Sequence, residues 1–196
     1  MTQHINKYLI EGLDRLGKDT LINGILNKKG FHQVIHFSKP TLLDCYQPSS
    51  TGMTAKEMVS EQQREYQHRS FRTMFSLLRD AKYAHLICNR AHLGECVYGP
   101  LYRQTDGDYV FELEKAFAMH QNHSTRLILL TEDFSISKHF VDDGESFDIT
   151  KREQEQEMFI AAFERSTISD KRIVCVTDSA LGGFKPKDVI LQEVLA

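Results

Sequence analysis

Between a short apolar run, Tyr8–Glu11, and a helical pattern over Thr20–Asn27 lies the segment Gly12-Leu13-Asp14-Arg15-Leu16-Gly17-Lys18. Within those seven residues a strand must end, the chain must turn and a helix must begin. The pattern G-x-x-x-x-G-K in that setting suits one construction. The two glycines free the backbone to curl, so that successive N–H groups point inward, and the helix start adds the positive end of its dipole. Lys18 then reaches the β- and γ-phosphates of a nucleotide. The spacing predicts nucleotide-phosphate binding by Gly12, Leu13, Asp14, Arg15, Leu16, Gly17, Lys18, Asp19 and Thr20. Placed at a helix start, Lys18 is expected to be largely exposed without a ligand, so its loss should spare stability.

The rest of the chain alternates in type. Short apolar runs at Tyr8–Glu11, Val34–Phe37, His85–Cys88, Arg126–Thr131 and Arg172–Thr177 read as strands buried on both faces. Helical patterns separate them, over Thr20–Asn27, Lys56–Asp80, Leu93–Arg103, Asp108–Gln121, Lys151–Arg165 and Pro186–Leu195. Such alternation predicts an α/β chain with a five-stranded parallel sheet flanked by helices. At 196 residues the chain suits a single domain, 1–196. The polar stretch Glu132–Thr150 is long for a loop in a compact domain, and such loops are often mobile and functional.

Charge and cysteine usage narrow the setting. A net charge of −3 argues against a nucleic-acid-binding domain. No apolar run approaches the roughly 20 residues of a membrane helix, so no membrane partner is expected. Cys45, Cys88, Cys96 and Cys175 lack C-x-x-C spacing, and Cys88 and Cys175 read as buried thiols. A reducing, cytoplasmic compartment is the simplest reading. His85, His92 and Glu95 form the tightest mixed histidine group but have no zinc-site spacing.

Two positions depart from the usual phosphate-loop pattern. Asp19 stands where Ser or Thr normally ligates Mg²⁺, and Thr20 supplies a hydroxyl only one position later, on another side of the helix. Asn89, at the end of the third strand, stands where an acidic residue often helps hold the metal. The exchanges either compensate, keeping one carboxylate and one neutral oxygen near the ion, or are two independent changes that weaken the site.

Glu11-Gly12-Leu13-Asp14-Arg15-Leu16-Gly17-Lys18 resembles the E-G-x-D-x-x-G-K loop of thymidylate kinases. Asn89-Arg90-Ala91-His92-Leu93-Gly94-Glu95-Cys96-Val97-Tyr98-Gly99 is similar to that family's D-R-x-x-x-S-x-x-x-Y-Q; Arg90 and Tyr98 match, while Asn89, Gly94 and Gly99 depart. The run on to Pro100-Leu101-Tyr102-Arg103 resembles phage-type deoxynucleoside monophosphate kinases of the same superfamily. The resemblance implies a P-loop kinase fold with a mobile lid, about 132–152, ATP as donor, and Mg²⁺ with Asp19 and Asn89 near it. It also implies a deoxynucleoside monophosphate acceptor (dTMP or another), a possible homodimer, and the cytoplasm as location, that of the host if viral. Lys18, Arg15 and Asp14 would be catalytic. One family branch carries an Arg in the phosphate loop, the other in the lid; with Arg15 in the loop and only Lys138 in the lid candidate Phe134–Ile149, this chain resembles the first. Asp14 would lie near the acceptor sugar and phosphate, Arg90 and, more weakly, Lys39 would hold that phosphate, and the loop after Val176-Thr177-Asp178 would border the donor adenine.

Helix arithmetic addresses the acceptor base independently. Ligands of a parallel sheet sit beyond the carboxyl ends of its strands. About six strand residues span about 20 Å, which a helix covers in about 13 residues. Counting back from Asp80 puts site level near Gln67, so Arg64, Gln67 and Phe71 can reach a ligand, with Tyr66 an alternative aromatic. Phe75 and Arg79 mimic the family's F-x-x-x-R but lie too near the far end, Phe75 as core and Arg79 as surface. Two other functions remain open: a deoxynucleoside kinase, for which Asn89 cannot serve as base but Glu11 could, and a nucleotide-binding protein with weakened catalysis.

Overall fold

The computed structural model describes residues 5–30, 32–37, 55–81, 84–137 and 149–196. Five parallel strands, β1 (Lys7–Gly12), β2 (Gln33–His36), β3 (Leu86–Asn89), β4 (Thr125–Thr131) and β5 (Asp170–Cys175), form one sheet in the order β2-β3-β1-β4-β5. β1 lies at the centre because every one of its residues is buried, as are all those of β3 and β4. The register sets Ile10 opposite Asn89 and Gly12 opposite Leu130, so β1 runs two residues past the end of β3 before the chain turns.

Helices cover the sheet. α1 (Lys18–Lys29) packs on α7 (Lys187–Leu195), and the approach is close: a Cβ on Gly24 would lie 3.2 Å from Leu191 Cδ2. α2 (Ala55–Asp80) packs on α4 (Tyr109–Ala116), and α3 (Leu93–Tyr98) on α6 (Arg152–Arg165). A short α5 (Phe134–Ser137) follows β4. Phe75 is core, its ring edge-on to His92 with centroids 4.9 Å apart, and Arg79 is on the surface.

Several boundaries differ from the sequence reading. The third helical pattern is a two-part element: α3 stops at Tyr98 and a π-helical turn continues over Gly99–Arg103. Pro100 supplies no N–H for a regular α-helical bond, and Gly99 admits a wider turn. The fourth pattern is α4 followed by a 3₁₀ turn at Met119–Gln121. The last strand ends at Cys175, and a two-stranded antiparallel pair follows, β6 (Thr177–Asp178) and β7 (Gly183–Phe184). Periodicity over two residues cannot reveal such a pair. Cys175 is half-buried rather than buried, since β5 is an edge strand; Cys88 and Cys96 are buried, and Cys45 lies outside the described residues. Of the lid candidate, residues 138–148, Lys138 among them, lie outside the described residues.

Buried polar groups tie the helices to strand ends. Lys7 Nζ donates to Leu78 O at 2.7 Å, closing the carboxyl end of α2 at the amino end of β1. Arg126 holds Asp170 through two bonds of 2.8 and 2.9 Å and reaches Val194 O at 2.6 Å. Glu114, wholly buried, accepts from Ser166 Oγ at 2.7 Å and from Thr167 N–H and Oγ1 at 2.6 and 2.8 Å, and pairs with His92 Nε2 at 2.6 Å. Burial alone would raise its carboxyl, but His92 and these donors outweigh it and hold the pKa down, to about 2.

Because Glu114 titrates lower in the folded chain than its ordinary 4.5, its contribution is complete above about pH 4.5 and is lost as the pH falls towards about 2. Glu114→Ala should cost about 3–5 kcal/mol at neutral pH, since it strands a buried His92 and three donors. Denaturant unfolding at pH 7 and pH 3 checks this: the difference between wild type and variant should shrink at the lower pH.

Candidate functional site

At the carboxyl end of β1 the chain turns sharply inward. Gly12 has φ 132°, and a Cβ there would sit 2.5 Å from Leu130 O, so both conformation and space require glycine. Arg15 and Gly17 take φ 67° and 76°, and α1 starts immediately after. Arg15 is a non-glycine residue in the left-handed region, a conformation that costs of order 1 kcal/mol and is found at ligand-holding turns.

Lys18 is not exposed. It is 7% accessible, and its Nζ folds back to donate to Gly12 O at 3.0 Å and Leu13 O at 2.6 Å, with Asp14 Oδ1 at 3.8 Å. The sequence expectation failed because the side chain turns under the loop instead of pointing outward from the helix. Burial pulls its pKa down to about 8, with Asp14 opposing that shift.

Asp14 is the junction of the loop's charges. Its Oδ1 lies 2.8 Å from the Arg90 guanidinium, which is 55% exposed and springs from a left-handed residue, φ 58°, just after β3. Arg152, at the start of α6, donates to Asp14 O at 2.8 Å and to Glu132 Oε1 at 2.6 Å. The two ends of the lid candidate are thus joined to each other and to the loop.

Asn89 is 3% accessible, and its Nδ2 donates to Asp19 Oδ1 at 3.0 Å and to His36 Nδ1 at 3.1 Å, with its own Oδ1 buried and without a hydrogen-bond partner. The two residues that depart from the usual pattern are therefore in contact. His36 is four residues from His32 in a stretch that reads as a strand, and at the end of β2 strand register brings it to Asn89.

Two cavities flank the loop. One, of about 810 Å³, runs along α1 and against β7 and α7, and includes Arg15, Gly17, Thr20, Phe184 and Lys185. The other, of about 90 Å³, is lined by Gly12, Asp14, Arg90, Gln67, Phe71 and Tyr98, among others. Gln67 and Phe71 thus reach site level as the helix count predicts: they lie 11 and 7 residues before Leu78, about 16 and 10 Å along α2. Arg64 and Tyr66 do not line this cavity and are exposed on α2; Tyr66, one residue from Gln67, is turned about 100° away from it, whereas Arg64 shares the Gln67 face and its charge acts on Glu95 from the solvent side. Lys39 lies outside the described residues. Glu11 also borders the second cavity, but its carboxylate accepts Leu93 N–H at 2.7 Å. Sequence reasoning gave no site role to the lining residues Phe37, Glu95 and Arg103, although Glu95 lies inside the quoted Asn89–Gly99 run and Arg103 at the end of the Pro100–Arg103 run.

The buried Lys18 gives a pH test. A phosphate beside it would stabilise the ammonium, so binding a triphosphate anion above about pH 8 must take up a proton. Affinity should be level below that pH and fall about tenfold per unit above it, by calorimetric titration. Lys18→Ala should remove the pH dependence and, because it deletes two buried hydrogen bonds, lower Tm.

No family model and no curated protein sequence matches the chain. Solved structures do. The YorR protein of Bacillus subtilis, determined in complex with phosphorylated GDP, aligns over 96% of this chain and 93% of its own, with TM-score 0.57 and 11% identity. Thymidylate kinase of Candida albicans aligns over 96% and 89%, with TM-score 0.50 and 17% identity. Polyphosphate kinase 2 of Arthrobacter aurescens TC1 aligns over 99% and 67%, with TM-score 0.53 and 13% identity. With its central parallel sheet, flanking helices and phosphate-loop turn after β1, this chain has the fold of the P-loop kinases.

Proposed function

We propose that the protein is an ATP-dependent kinase that phosphorylates a deoxynucleoside monophosphate, dTMP or another, to the diphosphate. The observation that carries this is the loop's position as a shared wall. Arg15, Leu16 and Gly17 line the larger cavity, while Gly12 and Asp14 line the smaller. A donor triphosphate on one side and an acceptor phosphate on the other would meet across that wall.

The chemistry asks for positioning and charge stabilisation more than for a base. An oxygen of the acceptor phosphate attacks the γ-phosphorus, the bond from that phosphorus to the β-bridging oxygen breaks, and ADP leaves. Lys18 would exchange Gly12 O and Leu13 O for phosphate oxygens, and Arg15 would neutralise charge on the transferring group. Arg90, held by Asp14 at 2.8 Å, would bind the acceptor phosphate. Asp19 supplies a carboxylate and Asn89 a buried, unpartnered amide oxygen, which suit a hard divalent cation once the Asn89 amide, whose nitrogen faces Asp19, turns over. They would hold Mg²⁺, which when bound neutralises the donor phosphates.

A nucleoside kinase would need a free carboxylate base. Glu11 is buried at the cavity edge and accepts Leu93 N–H, while the Arg90 guanidinium, 55% exposed, suits an acceptor that already carries phosphate. ADP formation with a panel of deoxynucleoside monophosphates and nucleosides tests the reading. Turnover with a monophosphate supports it, turnover with nucleosides alone replaces it, and nucleotide binding without turnover with any acceptor reduces the protein to a binding module.

Two variants test the roles. Arg15→Gly should lower kcat on the order of 10³-fold with little change in KM, because the interaction strengthens as charge moves. Asp19→Ala should raise the Mg²⁺ needed for half-maximal activity. Asp19→Ser combined with Asn89→Asp should recover more activity than either single change, the non-additivity expected of one shared site. Additive effects in the Mg²⁺ titrations would mean two independent positions.

A further inference from the structure

Inside the smaller cavity, beyond Arg90, lies a buried ion pair that the transfer of phosphate does not use. Glu95 and Arg103 line it, with side chains 2% and 10% accessible, joined by Arg103 Nη2 to Glu95 Oε2 at 2.5 Å. Glu95 Oε1 is buried; Tyr109 lies beside it, yet neither atom makes a hydrogen bond of full geometry. Phe37 and Phe71, with ring centroids 6.3 Å apart, and the Gln67 amide share the same cavity.

The backbone is shaped to hold this pair. The π-helical turn Gly99–Arg103 folds the chain back, and a Cβ on Gly99 would lie 3.0 Å from Thr105 O and 3.7 Å from Arg103 Nη2. A Cβ on Gly107 would collide with Cys96 Cα and Glu95 O, both at 2.6 Å, so the returning segment rests directly on α3. π-turns are rare and frequent at functional sites. Two positions that carry Ser and Gln in the resembling pattern are here Gly94 and Gly99, which bring no polar group; Glu95 and Arg103 supply them instead.

We infer that Glu95 and Arg103 read the edge of the acceptor base and select a single-ring base with an exocyclic amine, that is, cytosine, over thymine. This rests on the acceptor-site reading above. Paired with Arg103, the Glu95 carboxylate accepts hydrogens, so a base edge that brings an N–H to it is favoured over one that brings oxygen. The cytosine amine ends its edge with no carbonyl beside it, and its neighbouring acceptors, N3 and O2, suit the Arg103 guanidinium and the Gln67 amide. Thymine offers one N–H between two carbonyl oxygens, so a carboxylate approaching it meets like partial charge on both sides. A cavity of about 90 Å³ suits one ring better than two.

Calorimetric binding to the wild-type protein decides the matter first. dCMP should bind at least about tenfold more tightly than dTMP, the scale of one satisfied buried hydrogen bond. Equal binding, or tighter dTMP, overturns the inference. N4,N4-dimethyl-dCMP, which has no amine hydrogen, should lose that advantage, and undiminished binding would overturn it too. Glu95→Met, which removes both acceptor oxygens and is checked for native structure by circular dichroism, should erase the gap between dCMP and dTMP. It should leave deoxyribose 5-phosphate, which has no base, bound within about twofold of wild type. A folded variant that keeps the gap, or loses deoxyribose 5-phosphate equally, counts against Glu95 as the reader. The kinase assay separates the two proposals. Tight dCMP binding with no ADP formed removes the proposed reaction and leaves the base selection standing, whereas equal kcat/KM on dCMP and dTMP removes the selection and leaves the reaction.

Discussion

The site depends on how close β1 can come to β4. Leu130 O occupies the space that a Cβ on Gly12 would need, and the loop begins its curl at that point. The curl sets Asp14 towards one cavity and Arg15 towards the other, and it starts α1 at Lys18. A side chain at Gly12 would force β1 and β4 apart in the centre of the sheet. The geometry of the candidate site is therefore a consequence of core packing, and substitutions at this glycine would disturb both together.

Charge around the loop is balanced internally. Lys18 rests on two carbonyls, Arg90 on Asp14, and Arg152 on Glu132 and the Asp14 carbonyl. Each of these bonds involves a cation that an incoming phosphate could compete for, and none of the three is left unpaired. The depressed pKa of Lys18 expresses the same compromise: burial under the loop is tolerated because the ammonium is the better partner once an anion arrives.

Positions that look like losses against the thymidylate kinase pattern have structural counterparts. Asp19 and Asn89 touch each other through an amide hydrogen bond and include His36 in the contact. Gly94 lies under the Tyr98 ring, where a Cβ would be 3.4 Å from it, and Gly99 lets the π-turn close on Thr105.

Local chemistry made part of this legible without coordinates. Glycine spacing, the run of short apolar strands and the helical patterns between them fix the phosphate loop, the parallel α/β architecture and, through helix rise per residue, the level of Gln67 and Phe71, because each is a property of neighbouring residues and repeating geometry. The burial of Lys18, the exposure of Arg64 and Tyr66, the meeting of Asp19 with Asn89 and His36, and the Glu95–Arg103 pair on its π-turn belong to the tertiary structure. They depend on strand order, on which face of a helix meets the sheet, and on where a turn folds back. Those relations join residues as far apart as Asp19 and Asn89, and only packing decides them.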